Sequence, residues 1–312
     1  MPTGLSALER PSRLVPGDRV AVVAPSGPVP PDRLDAGLAL LRGWDVEPVV
    51  FPHVRERGAR LPYFAGGDAE RARDLEDAWC DDTIAAVLCA RGGFGAQRVV
   101  DLVDWERMGR ATPKVFVGYS DATALHEAIA TRLGVATLYG PMVAAEVFGT
   151  DAATQEHLRA TLFEPESVRS LGSPAAHTLA PGRAAGVTVG GCLTLVTTDL
   201  GTPAGRTTFA GGVLALEDVG LDPYELDRGL TQLARAGVLD GVAGIVLGSL
   251  AGYKPYEDLR AALVERLAPL GVPVVDEFGF GHGPSALTVP LGVPCVLDAD
   301  ACTLTFDVPA LA

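Results

Sequence analysis

Apolar and polar positions alternate in blocks along the first 135 residues. Arg19 to Ala24 is a short apolar run, a strand, that ends in the turn Pro25-Ser26-Gly27-Pro28. Between Asp32 and Arg42, Leu34, Leu38 and Leu41 recur at i, i+4 and i+7, which predicts a helix stopped by Gly43. Asp45 to Phe51 reads as a second strand, interrupted by proline. Asp68 to Trp79 reads as a polar-faced helix with Asp68 as its N-cap. Ile84 to Cys89 reads as a buried strand, followed by the loop Arg91-Gly92-Gly93-Phe94-Gly95, and Gln97 to Leu102 begins another helix. Val115 to Val117 is a strand. Asp121 to Leu133 is a helix with Leu125, Ile129 and Leu133 on one face. Strand alternating with helix predicts a parallel sheet covered on both sides, with ligands bound beyond the carboxyl ends of its strands.

Residues 151–182 read as a connection, polar and proline-containing with weak periodicity. The texture then changes. Gly186 to Gly191 is glycine-rich, Gly212 to Leu216 is a strand and Leu226 to Ala236 a helix. Val242 to Leu247 reads as a strand, Tyr256 to Leu267 as a helix, Pro273 to Val275 as a strand, and Cys295 to Phe306 as β-rich. The expectation is an α/β protein with an N-terminal domain over 14–150 and a mixed C-terminal domain over 183–312.

Composition narrows the functional classes. The 312 residues carry 25 basic and 39 acidic side chains, a net charge of −14, so a general nucleic-acid or anionic-membrane binder is not expected. Glycine (37) and proline (24) make up about a fifth of the chain without any repeat period, which implies many short connections rather than a collagen-like or low-complexity chain. No signal peptide or membrane span is visible, and the five cysteines (Cys80, Cys89, Cys192, Cys295, Cys302) form no C-x-x-C, which predicts reduced thiols and a cytoplasmic protein. The histidines (His53, His126, His157, His177, His282) form no paired-ligand pattern, so neither a catalytic metal nor another cofactor is expected.

The sharpest local feature is Val117-Gly118-Tyr119-Ser120-Asp121-Ala122, where a strand runs into a serine and a helix begins at once. Such a turn holds a serine at the strand's carboxyl end, with the next backbone N–H aimed where a tetrahedral oxyanion would form. Taken alone, such a serine reads rather as a helix cap together with Asp121. Ser26, flanked by prolines, and Ser249, after another strand, are rival serines. A serine nucleophile needs a base, and the base an orienting acceptor. His282, in Phe278-Gly279-Phe280-Gly281-His282-Gly283-Pro284, is left unshielded by its glycines, whereas His126 reads as structural. Glu217 ends an apolar strand and is the preferred carboxylate. The adjacent Asp218 must point to the opposite face. Backbone N–H groups of Gly92 and Gly93 are candidates for a second oxyanion donor, and Arg91 for holding a substrate carboxylate. That loop is neither G-x-G-x-x-G nor a P-loop, which disfavours a nucleotide site.

Taken together, these residues resemble the LD-carboxypeptidase family of serine peptidases, which includes muramoyl-tetrapeptide carboxypeptidases and microcin C immunity peptidases. The resemblance runs through Val22-Val23-Ala24-Pro25-Ser26-Gly27, Phe64-Ala65-Gly66-Gly67-Asp68, Arg91-Gly92-Gly93-Phe94-Gly95, Gly118-Tyr119-Ser120-Asp121, Leu216-Glu217-Asp218, Gly281-His282 and Pro290-Leu291-Gly292. It implies a Ser120–Glu217–His282 triad and a flavodoxin- or Rossmann-like N-terminal domain. It also implies a swivelling β/α C-terminal domain, a homodimer, and release of D-alanine from a murein tetrapeptide. A related amidase acting on peptidyl or aminoacyl nucleotides and a non-catalytic two-domain binder are the alternatives. Two positions depart from the family pattern: Cys192 after Gly190-Gly191, where asparagine is frequent, and Tyr139 before Gly140-Pro141, where histidine is frequent.

Overall fold

The computed structural model describes residues 4–249 and 256–312. Five strands of the first half, β1 (Arg19–Val23), β2 (Glu47–Val50), β3 (Ile84–Cys89), β4 (Val115–Gly118) and β5 (Thr137–Tyr139), form a parallel sheet in the order β5-β4-β3-β1-β2. This is the doubly wound, flavodoxin-like order, whose topological switch lies between β1 and β3. Successive side chains along a strand point to opposite faces, and both faces are covered. Val20, Val22, Leu88 and Val117 pack with Leu34, Leu38 and Leu41 of α1 (Pro31–Gly43). Ala21, Val23, Val87 and Phe116 pack with Leu75 and Trp79 of α2 (Asp68–Cys80) and, beyond the short α3 (Ala96–Val100) and α4 (Trp105–Gly109), with Leu125 and Ile129 of α5 (Thr123–Arg132). Strands buried on both faces have no polar positions, which is why they appear in the sequence as unbroken apolar runs.

Asp68 is not the cap of α2. The cap is Gly67, whose N–H donates to Glu70 Oε2 at 2.7 Å, while Asp68 is the first helical residue and pairs with Arg71 and Arg98.

The 151–182 stretch is not a structureless connection. After the short α6 (Glu146–Thr150) it contains α7 (Ala152–Phe163) and two edge strands, β6 (Ser170–Gly172) and β7 (His177–Ala180). Leu158 and Leu162 of α7 enter the N-terminal core. The periodicity is weak because buried Thr154 and Thr161 share that face, their hydroxyls satisfied by Asp151 Oδ2 and the His157 carbonyl. The two strands are only three and four residues long, with Leu171 their one buried side chain, so neither leaves an apolar run.

The second sheet has a parallel centre of β8 (Arg183–Cys192), β9 (Gly212–Glu217), β10 (Gly244–Leu247) and β11 (Val274–Asp276). The glycine-rich stretch thus lies within a ten-residue strand. A helix α8 (Leu193–Thr198) follows β8. Helices α9 (Pro223–Arg235) and α10 (Tyr256–Leu267) pack Leu226, Leu230, Leu259 and Leu263 onto one face of the sheet. One strand of the second half crosses over: β12 (Val289–Leu291) pairs antiparallel with β5, Val289 opposite Tyr139. The chain then returns through β13 (Pro294–Asp298) and β14 (Thr303–Phe306) to complete an eight-stranded mixed sheet. Near its start the chain is tied to the second half, Leu5 N–H donating to the Ala210 carbonyl at 2.8 Å, and near its end Leu311 packs in the N-terminal core. Among the described residues no helix is long and apolar enough to cross a membrane.

Candidate active site between the two sheets

The parallel strands of the two sheets turn their carboxyl ends toward one cavity of about 760 Å³. At the switch of the first sheet the loops after β1 and β3 touch, Gly27 N–H donating to the Gly92 carbonyl at 3.0 Å. Ser120 follows β4 after one residue, Tyr119, with φ of +60°. A non-glycine residue held at positive φ is strained, and three interactions hold it there. Ser120 N–H donates to the Tyr139 hydroxyl at 3.0 Å, its carbonyl accepts from Thr123 Oγ1 at 2.7 Å, and the buried Asp121 carboxylate accepts from Ala96 N–H at 2.8 Å. The last bond ties the serine turn to the end of the Arg91–Gly95 loop. Gly118 is required here by close approach: a Cβ on it would lie 2.8 Å from Ala122 Cβ and 3.1 Å from Cys89 Sγ. The small residues on either side of Ser120 are therefore packing requirements of the turn.

Glu217 ends β9, opposite Cys192 at the end of β8. Its side chain is fully buried, and Oε2 accepts from His282 Nδ1 at 2.7 Å and from His282 N–H at 3.3 Å. Its other oxygen, Oε1, accepts from the Tyr139 hydroxyl. A buried carboxylate with all these donors is compensated for its desolvation. Asp218 points the other way, as expected for adjacent extended residues. It accepts from Thr194 N–H at 2.8 Å at the start of α8.

His282 leans on Tyr119, their ring centroids 4.8 Å apart, and lines the same cavity as Ser120, Gly92 and Gly93. Burial opposes charging of the imidazole, but the hydrogen bond and charge of Glu217 outweigh it and hold its pKa above the ordinary value. Because Nδ1–H donates to Glu217, Nε2 is the nitrogen free to take a proton from a cavity group. Among the described residues no hydrogen bond joins Ser120 Oγ to this ring, although both line the same cavity. Ser120 Oγ lies against Gly92, within 3.1 Å of where a Cβ on that glycine would be.

The rival residues lie elsewhere. Ser26 is fully buried in the loop after β1, and Ser249 is buried beneath the His282 loop, its N–H donating to the Phe280 carbonyl at 2.8 Å. His126 is buried and pushed down to about 4. Its Nε2–H donates to the Gly118 carbonyl at 2.9 Å, so Nδ1 accepts from Thr137. It is structural. His53, Glu56 and Glu70 converge within 4.8 Å of one another outside the cavity, a grouping that linear spacing does not reveal.

Arg91 lines the cavity and donates to the Pro28 carbonyl at 2.7 Å. Arg33, which the sequence did not single out, lines it too, paired with Glu146 at 2.6 Å. The second residue missed was Tyr139. Its phenol is fully buried, and burial together with the Glu217 charge raises its pKa well above normal, so it stays a donor. Its sequence signal was its departure from histidine before Gly140-Pro141.

Residues 20–140 match the LD-carboxypeptidase N-terminal domain and residues 185–297 the LD-carboxypeptidase C-terminal domain. A Streptomyces coelicolor protein, a carboxypeptidase by assigned name only, is 63% identical over 97% of this chain and 98% of its own. The murein tetrapeptide carboxypeptidase of Pseudomonas aeruginosa is 31% identical over 90% of this chain and 94% of its own. Among solved structures, a muramoyltetrapeptide carboxypeptidase from Oxalobacter formigenes superposes with a TM-score of 0.79 at 28% identity, covering 93% of this chain and 99% of the other. A microcin C7 self-immunity protein superposes with a TM-score of 0.83 at 22% identity, covering 97% and 100%, a likeness of fold. The two domain matches cover most of the chain in the order the fold requires, and the chain belongs to the LD-carboxypeptidase family of serine peptidases.

Proposed function

We propose that this protein is a serine carboxypeptidase that releases the terminal D-alanine of a murein tetrapeptide. The observation that carries this reading is the Glu217–His282 hydrogen bond, presented to the cavity that Ser120 enters from the other sheet. His282 Nε2 takes the Ser120 proton as Oγ attacks the carbonyl joining the third residue to D-alanine. The oxyanion is received by the N–H groups of Asp121 and of Gly92 or Gly93. Ser120 N–H is engaged by Tyr139, which leaves that task to its neighbours. His282 returns the proton to the departing amine. Water, deprotonated by the same imidazole, then hydrolyses the acyl-enzyme. The murein tetrapeptide carboxypeptidase among the relatives supports the substrate class.

The test is release of free D-alanine from the tetrapeptide by purified protein, with Ser120→Ala as control. Release by the wild type and its loss in the variant are expected. Equal release by both, or cleavage only of an aminoacyl-adenylate analogue, would overturn the proposal.

A further inference from the structure

Beside the catalytic cavity lies a second one of about 510 Å³, and the two share Arg91 and Gly93. Its walls are Arg57, Arg91, Tyr63 and Phe94, with no acidic residue among them, in a chain of net charge −14. Among the described residues Arg57 has no carboxylate partner, and Arg91 donates only to the Pro28 carbonyl. Tyr63 and Phe94 are 50% and 47% exposed, among the few large apolar side chains so open to solvent. Their rings stand 6.4 Å apart, over buried Phe64 at 4.5 Å and 5.6 Å.

These walls are held from behind. The fully buried Arg71 lies 4.8 Å from the Phe64 ring centre, and Arg98 4.9 Å. Arg71 also donates to the carbonyls of Pro25, at the start of one loop framing the cavity, and Gly95, at the end of the other. Arg57 and Arg91, neither with a carboxylate partner among the described residues, stand beside an open aromatic surface and match an anion on an apolar or planar stem. They are unsuited to a cation.

We propose that this second cavity binds a carboxylate on the acyl side of the peptide, upstream of the scissile bond. The inference rests on the carboxypeptidase reading. A carboxypeptidase expels a single residue, which stays within the catalytic cavity, so only the retained part of the peptide is long enough to pass the Gly92–Gly93 loop. Phe94 directly follows that loop, so the occupant also braces the N–H groups assigned to the oxyanion.

The experiment uses two peptides ending in D-alanine that differ only in one upstream group, a free carboxylate or its carboxamide. Their binding to full-length Ser120→Ala is measured by calorimetry, alone and with Arg57→Ala or Phe94→Ala added. The acid should bind about fivefold tighter than the amide, an advantage that shrinks with added salt. Arg57→Ala should bring the two within about twofold of each other, and Phe94→Ala should weaken both. Equal binding of the two peptides to Ser120→Ala, or a preference that survives Arg57→Ala, would overturn the inference. A wild-type protein that releases no D-alanine from either peptide, yet discriminates between them in binding, would instead count against the catalytic reading alone.

Discussion

Gly281 rests against Glu217 so closely that a Cβ on it would lie 2.3 Å from Oε2 and 2.5 Å from Cγ, and its φ is +89°. No side chain fits there without parting Glu217 from His282, the next residue along the chain. Gly281→Ala is expected to lower stability by about 2–4 kcal/mol, from backbone strain and overlap together. It should also reduce kcat more than KM. Denaturant unfolding and steady-state kinetics on the same preparation check both.

In the proposed mechanism the Glu217–His282 pair sets the pH dependence. The base must be neutral in the free enzyme, and Glu217 holds the His282 pKa above the ordinary 6.5. Activity should therefore fall as pH drops through a limb lying above that value. Glu217→Gln keeps the shape but removes the charge, so the limb should move to lower pH while kcat falls by about 10²- to 10⁴-fold. A pH profile of kcat/KM for both proteins decides it. An unmoved limb would separate His282 from the observed titration.

Tyr139 connects Ser120 to Glu217, accepting from Ser120 N–H while donating to the Glu217 carboxylate. Tyr139→Phe leaves a buried oxygen and a buried N–H each short of a partner, expected to cost about 1–3 kcal/mol of stability. Without that donor the negative charge on Glu217 is less shared, so the acid limb of kcat/KM should rise. Thermal unfolding and the pH profile measure the two effects separately.

A second tie between the domains is the ion pair of Glu127 on α5 with Arg206, at 2.5 Å, both side chains largely buried. Burial already pushes the Glu127 pKa upward against the pull of Arg206. Arg206→Met should destabilise the protein by about 3–5 kcal/mol at neutral pH, because it strands a buried charge. A carboxyl whose folded pKa is raised binds more protons folded than unfolded, so the loss should shrink as pH falls toward that pKa and grow as pH rises. Adding Glu127→Leu to Arg206→Met should recover much of the loss. Unfolding midpoints of the three proteins across pH test this.

Much of the N-terminal sheet was legible because its central strands are buried on both faces and its helices carry apolar stripes, patterns that local sequence records directly. The stretch 151–182 hides its structure because α7 places hydrogen-bonded threonines on its buried face and β6 and β7 are short edge strands with a single buried side chain, Leu171, between them. Asp68 looked like a cap because caps are assigned by residue type, whereas the bond that closes α2 runs from Gly67 N–H to Glu70.

By itself the sequence determined the serine turn, the glycines around it, and the opposition of Glu217 to Asp218, since each follows from neighbouring residues and backbone period. Which strand ends meet was decided only by the tertiary structure. Ser120 and His282 are 162 positions apart and face one cavity because β12 crosses to pair with β5 and draws the His282 loop back toward Tyr139. Linear spacing carries no information about such a crossing, which depends on sheet order and on the pairing of edge strands distant in the chain.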